Sequence, residues 1–164
     1  MRILESSILA ICAGVLAFFP QGVVAQTVAT SFDLPVPAKC RFSQSARVIK
    51  SLRDLPAAAE EFRRQNLPIA DVGEKFIPFD VEDDSSRGLP HDQFVRAYEF
   101  KDRTIVWYFK GGFVRNFHIV ELRPREGNGK GAPSRLRLTG VALEGPPCAA
   151  TEAILAGVRG QQNW

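Results

Sequence analysis

Between residues 94 and 120 the chain places three runs of β-branched and aromatic side chains, 94–100, 104–110 and 113–120, around two short breaks, Lys101-Asp102-Arg103 and Gly111-Gly112. Runs of this kind separated by turn-forming residues predict a three-stranded antiparallel meander. Two glycines tolerate the positive φ of a two-residue hairpin turn, so the doublet predicts that Lys110 faces Phe113. That register sets Phe109 opposite Val114, Trp107 opposite Asn116 and Ile105 opposite His118. Successive side chains alternate between the two faces of a sheet. One face of the ribbon then carries Ile105, Trp107, Phe109, Val114 and His118, and the other Val106, Tyr108, Phe117 and Ile119. With Asp102-Arg103 as the first turn, Tyr98 and Phe100 join the Trp107 face. Both faces are largely apolar, whereas a sheet wetted on one side alternates apolar with polar. Each face therefore needs a cover: a helix on one, and a loop, a second layer or a partner on the other.

The compartment follows from the start of the chain and from its cysteines. Arg2, an apolar run over 8–19, Pro20, and small residues at Val23 and Ala25 before Gln26 predict a secretory signal peptide over 1–25. The run is shorter than the ~20 residues a spanning helix needs, and no later run is longer, so no membrane span is expected after cleavage. Roughly 140 residues remain, enough for one domain with a real core. Cys12 lies in the leader. Cys40 and Cys148 are then the only pair, and in an oxidising compartment they predict one disulfide. The expected location is periplasmic or secreted. A net charge of +3 is too weak to argue for nucleic acid.

Residues 26–39, with Pro35 and Pro37 and no periodic pattern, read as an extended lead-in; 40–159 form a single domain and 160–164 a tail. The best helical region is 43–66. Asp54-Leu55-Pro56 reads as a cap and a first-turn proline before an alanine- and glutamate-rich run, with Asn66 and Pro68 as stops. The spacing of Val48, Ile49 and Leu52 favours a short first helix over a strand. Residues 75–79 predict a short edge strand, because Pro78 lacks a ladder donor. Residues 134–142 predict a strand with Leu136 and Leu138 inward and Arg135 and Arg137 outward, and 149–158 a short helix. The order specifies an α+β fold: an antiparallel four- to five-stranded sheet (a meander) with the N-terminal helical region packed on one face and a short C-terminal helix.

Chemistry-bearing residues are sparse. His118 with Glu121, or His91-Asp92, offers a weak general-base pair, and two histidines without metal-ligand spacing give no metal site and imply no cofactor. Gly127 to Gly131 resembles a phosphate loop but lacks its spacing. Trp107, Tyr108, Lys110, Phe113 and Arg115 cluster near the Gly-Gly hairpin as a candidate binding surface. From 71 to 92 acids predominate, and from 96 to 137 bases do, a separation able to orient the molecule on an anionic partner or a second copy of itself. The expected function is a non-enzymatic exported binding module for a protein partner or an anionic envelope component, or for self-association. The alternatives are a small hydrolase or metal-dependent enzyme using His118, and a carrier of a small apolar ligand.

Overall fold

The structure, a computed structural model, describes residues 28–80, 84, 86–125 and 135–160. The leader expected over 1–25, the glycine-rich loop 127–131 and the last four residues lie outside them. Among the described residues six strands and two helices make a mixed α+β fold: β1 (Arg47–Ile49), α1 (Pro56–Arg64), β2 (Ile69–Ala70), β3 (Asp92–Glu99), β4 (Thr104–Lys110), β5 (Asn116–Arg125), β6 (Arg135–Glu144) and α2 (Pro147–Leu155). The sheet order is β1-β3-β4-β5-β6, and β2 adds to the outer edge of β3 in parallel. The meander is present as β3, β4 and β5, antiparallel throughout.

Its second register differs from the sequence expectation. Lys110 pairs with Asn116, Trp107 with Ile119 and Tyr108 with His118. The connection is residues 111–115 rather than two glycines. The pairing slips by three positions, and an odd slip turns every side chain of β5 to the opposite face. His118 therefore lies beside Tyr108 and not beside Trp107, and Phe117 and Ile119 lie with Trp107. Gly111 is needed for close approach rather than for a tight turn. A Cβ there would sit 2.5 Å from the His91 carbonyl oxygen and 2.6 Å from that of Ile77.

Two bulges complete the sorting of side chains. At Val95 the β3–β4 pairing shifts, so Phe94 faces Tyr108 while Tyr98 faces Ile105. Residues four apart on one strand thus serve opposite faces. Between Val120 and Leu122 the β5–β6 pairing shifts as well, and Gly140 there takes a φ of 88°. As expected, Tyr98 and Phe100 join Trp107.

Both faces of the sheet are covered by the chain itself. On one, Ala58 and Phe62 of α1, with Ile49, Leu52 and Leu55, form a core with Phe94, Val106, Tyr108, Val120, Leu122 and Leu138. On the other, Ala150 and Ile154 of α2 pack with Trp107, Phe109, Phe117 and Ile119. The rest of that cover comes from the segment expected as a lead-in. Ala29, Phe32, Leu34, Val36 and Phe42 pack against this core, and Phe32 stacks on Phe109 at 4.9 Å. Gln93 Nε2 donates to the Thr30 carbonyl and Arg96 to that of Pro37, which holds the segment down. The expected disulfide joins it to α2: Cys40 and Cys148 are bonded across a separation of 108 residues.

Three local expectations are corrected. Residues 47–49 form a strand on β3, followed by a helical turn at Leu52–Asp54 rather than a first helix. Leu55, not Asp54, is the N-cap of α1. The turn is instead held by the buried Asp71, whose carboxylate accepts from Leu52 N at 2.7 Å and from the Ser51 hydroxyl. Residues 75–79 make no strand, only the single bridge of Phe76 with Ala29. The end of α1 is as the sequence indicates: Asn66 takes a left-handed φ of 57°, and Leu67 N reaches back to the Phe62 carbonyl. At the outer edge of β6, Glu61 accepts from Leu138 N and Arg64 donates to the Leu136 carbonyl. Paired groups of this kind keep an edge strand from recruiting another chain.

Candidate functional site

The binding candidates divide by burial. Trp107 and Tyr108 are 0% and 1% exposed and present no surface. Trp107 donates its indole N–H to Thr151 Oγ1 at 2.7 Å, tying β4 to α2. Lys110 and Arg115 are half-buried at the two ends of the 111–115 connection, and Phe113 and Val114 stand out at its tip with 91% and 76% exposure. The base of that connection is fixed. Gly111 N donates to the His91 carbonyl and Gly112 N to that of Pro78. Arg115 pairs with Asp33 at 2.9 Å and lies over the ring of Phe79 at 5.1 Å. Two bare apolar side chains thus project from a clamped frame.

The histidine candidates do not assemble as expected. His118 is on the α1 face, whereas Glu121 pairs opposite Ile105 on the other face. Glu121 is engaged there by Arg103 at 2.9 Å and by Arg123 at 3.1 Å. The partner of His118 is Glu144, which lies directly opposite on β6, with Nε2 3.1 Å from Glu144 Oε1. Ending the last strand at Ala142 hid this carboxylate. One more step of alternation past Leu136, Leu138 and Ala142 would have included it.

Asp92, Lys110 and Asn116 form one cross-strand row, and Phe94, Tyr108, His118 and Glu144 the next. Asn116 Nδ2 donates to the second oxygen of Glu144 at 2.7 Å. Burial holds the His118 pKa below its ordinary value, more strongly than Glu144 raises it, and Lys110 adds to the lowering. The neutral ring then donates its Nε2 proton to Glu144 and accepts at Nδ1 from the Tyr108 hydroxyl, 3.5 Å away. Burial first, and the charges of Asp92 and Glu144 second, raise the Tyr108 hydroxyl well above its ordinary value, so it stays a donor. The imidazole is enclosed between a phenol and a carboxylate, and only Glu144 reaches solvent. This string orders the rim of the core and offers no exposed base. His91 supplies the carbonyl that holds Gly111. Among the described residues no three His, Cys, Asp or Glu side chains gather as a metal set.

Asp92 makes the row sensitive to pH. Burial pushes its carboxyl up to about 6, against the pull of Lys110, of His91 and of the Gly111 N–H. The folded state therefore holds this proton more tightly than the unfolded chain does. The resulting stability is fully present below the ordinary value of 3.8 and is lost as pH rises through about 6. A shift of that size corresponds to roughly 3 kcal/mol. His118 acts in the opposite sense: its contribution is present above 6.5 and is lost as pH falls through the lowered value. Asp92→Asn is expected to raise stability at pH 8 by about 1–3 kcal/mol and to change it little at pH 4, measured by urea unfolding at both pH values. An equal change at both would show that the carboxyl does not titrate on folding.

A cleft of about 530 Å³ lies by Leu55, Glu99, Lys101, Thr104, Pro124 and Leu136, and one of about 350 Å³ by Phe32, Leu34, Val72 and Val95 at the outer edge of β3. The first is bounded by Leu55 and Ala57 at the start of α1 and by residues of β3 to β6, whereas farther along α1 Phe62 packs against Tyr108 of the sheet. Among the described residues no helix is long and apolar enough to cross a membrane. No protein family, no curated protein and no solved structure matches this chain.

Proposed function

We propose that the protein is an exported, non-enzymatic binding module that offers the tip of its β4–β5 connection to a protein partner. The single observation behind this reading is the pair Phe113 and Val114, 91% and 76% exposed on a connection whose base is hydrogen-bonded to residues 78 and 91. Scattered exposed apolar residues are ordinary. An adjacent pair on a held frame, with Lys110 and Arg115 beside it, has the composition of an anchor that fills a partner's pocket. Because the frame is ordered in advance, little chain entropy is lost on docking. Export is supported by the leader over 1–25 and by the Cys40–Cys148 bond.

A photo-crosslinking side chain at position 113, compared with one at the exposed Val48 on β1, tests this reading in the producing cells. A discrete protein adduct is expected from position 113 alone. Phe113→Asp should abolish the corresponding complex while changing stability by less than about 0.5 kcal/mol, since the ring has no packing to lose. No adduct, or the same adducts from both positions, would end this proposal.

A further inference from the structure

The far end of the β5–β6 ribbon carries an arrangement that the hairpin tip does not explain. Arg123 lies directly opposite Arg137, and Arg125 directly opposite Arg135. Opposed residues share a face, as do residues two apart on one strand, so the four arginines form a two-by-two array. Its sides are about 5 Å across the strands and about 7 Å along them. Like charges directly opposite one another destabilise a sheet. Among the described residues acids neutralise only part of the array: Glu121, 2% exposed, is shared by Arg103 and Arg123, and Asp102 is held by Arg103. Among the described residues Arg125, Arg135 and Arg137 have no ion-pair partner, and all three are exposed. Arg159, beyond α2, borders the same end beside Arg123. The side chains have no core to fill. Their common property is a set of planar donor forks that match oxyanions two bonds at a time.

We propose that this array binds a linear polyanion, a chain bearing closely spaced phosphate or sulfate groups. Each facing pair holds one oxyanion between two guanidinium forks, and the second pair takes another group of the same chain. Two linked contacts favour a polymer over a free ion, because the second contact is made at high effective concentration. The site is separate from the hairpin tip and does not depend on it.

The test uses the purified full chain with inorganic polyphosphate and dextran sulfate as probes. Orthophosphate at equal phosphate concentration and phosphatidylglycerol vesicles are the comparison arms. Binding of either chain, weakened by salt, is expected, with orthophosphate at least about 10-fold weaker. Arg125→Ser with Arg137→Ser should weaken binding by about 10-fold or more. Arg63→Ser with Arg87→Ser removes the same charge from exposed sites elsewhere and should leave binding within about 2-fold. The Arg125/Arg137 double variant should also melt no lower than the parent, since it relieves repulsion. Equal losses in the two double variants would reduce the effect to net charge and overturn the proposal. So would the absence of chain binding, or binding to vesicles alone.

Discussion

Replacing both Cys40 and Cys148 with serine is expected to lower the unfolding free energy by about 4–5 kcal/mol, the chain-entropy value for a loop of this length. That is a third or more of the stability of most domains of this size. The size of the loop is only part of the reason. Both cysteines pack against the Trp107-side core, and the bond fastens the 29–42 segment to α2, so that two covers of one face become a single unit. Without the bond each cover rests on its own contacts. Urea unfolding of the double variant, with and without reductant, measures the loss. Limited proteolysis should cut first within residues 28–46. A loss under about 1 kcal/mol would mean that the covers stay in place without the link.

The second large effect is expected at Trp107. It is fully buried, lies 4.9 Å from the ring of Tyr98, carries Arg96 over its face and donates to Thr151. Trp107→Ala should cost about 3–5 kcal/mol through the lost burial and the cavity left behind. Trp107→Phe separates the two contributions: it keeps most of the packing and leaves the Thr151 hydroxyl without its donor, which should cost about 1–3 kcal/mol. Adding Thr151→Val to Trp107→Phe should recover part of that loss, because a buried hydroxyl is then no longer unpaired. Thermal and urea midpoints of the parent, Trp107→Phe, Thr151→Val and the double variant report this. Independent, additive losses would show that the hydrogen bond does not couple β4 to α2.

How much of this was legible in the sequence depended on whether the signal was local. Alternation along 104–110 is local, and it gave the doubly apolar sheet. The stop at Asn66 is local as well. The cysteine bond could be read because, once Cys12 is assigned to the expected leader, only one pairing is available. Register was not local. Gly111-Gly112 has the form of a tight turn, yet Gly111 is demanded by the carbonyls of His91 and Ile77, which come from distant parts of the chain. The error of three positions moved His118 to the wrong face and parted it from its true partner, Glu144. The bulge at Val95 has no glycine or proline to announce it. The 29–36 segment was read by its prolines, although Phe32, Leu34 and Val36 already alternate in the manner of a strand-like cover. Of the binding candidates, composition alone could not separate Trp107 from Phe113, because two aromatic residues six positions apart carry no mark of which one is buried.

The Trp107 face is closed by residues 29–42 and by α2, with the whole sheet between them in sequence. A polypeptide emerging from its N-terminus therefore carries a half-covered aromatic wall until residues 147–155 arrive. Any product that ends before Pro147 lacks Ala150 and Ile154 and leaves their part of that wall open, so premature termination yields a sticky fragment rather than a smaller working protein.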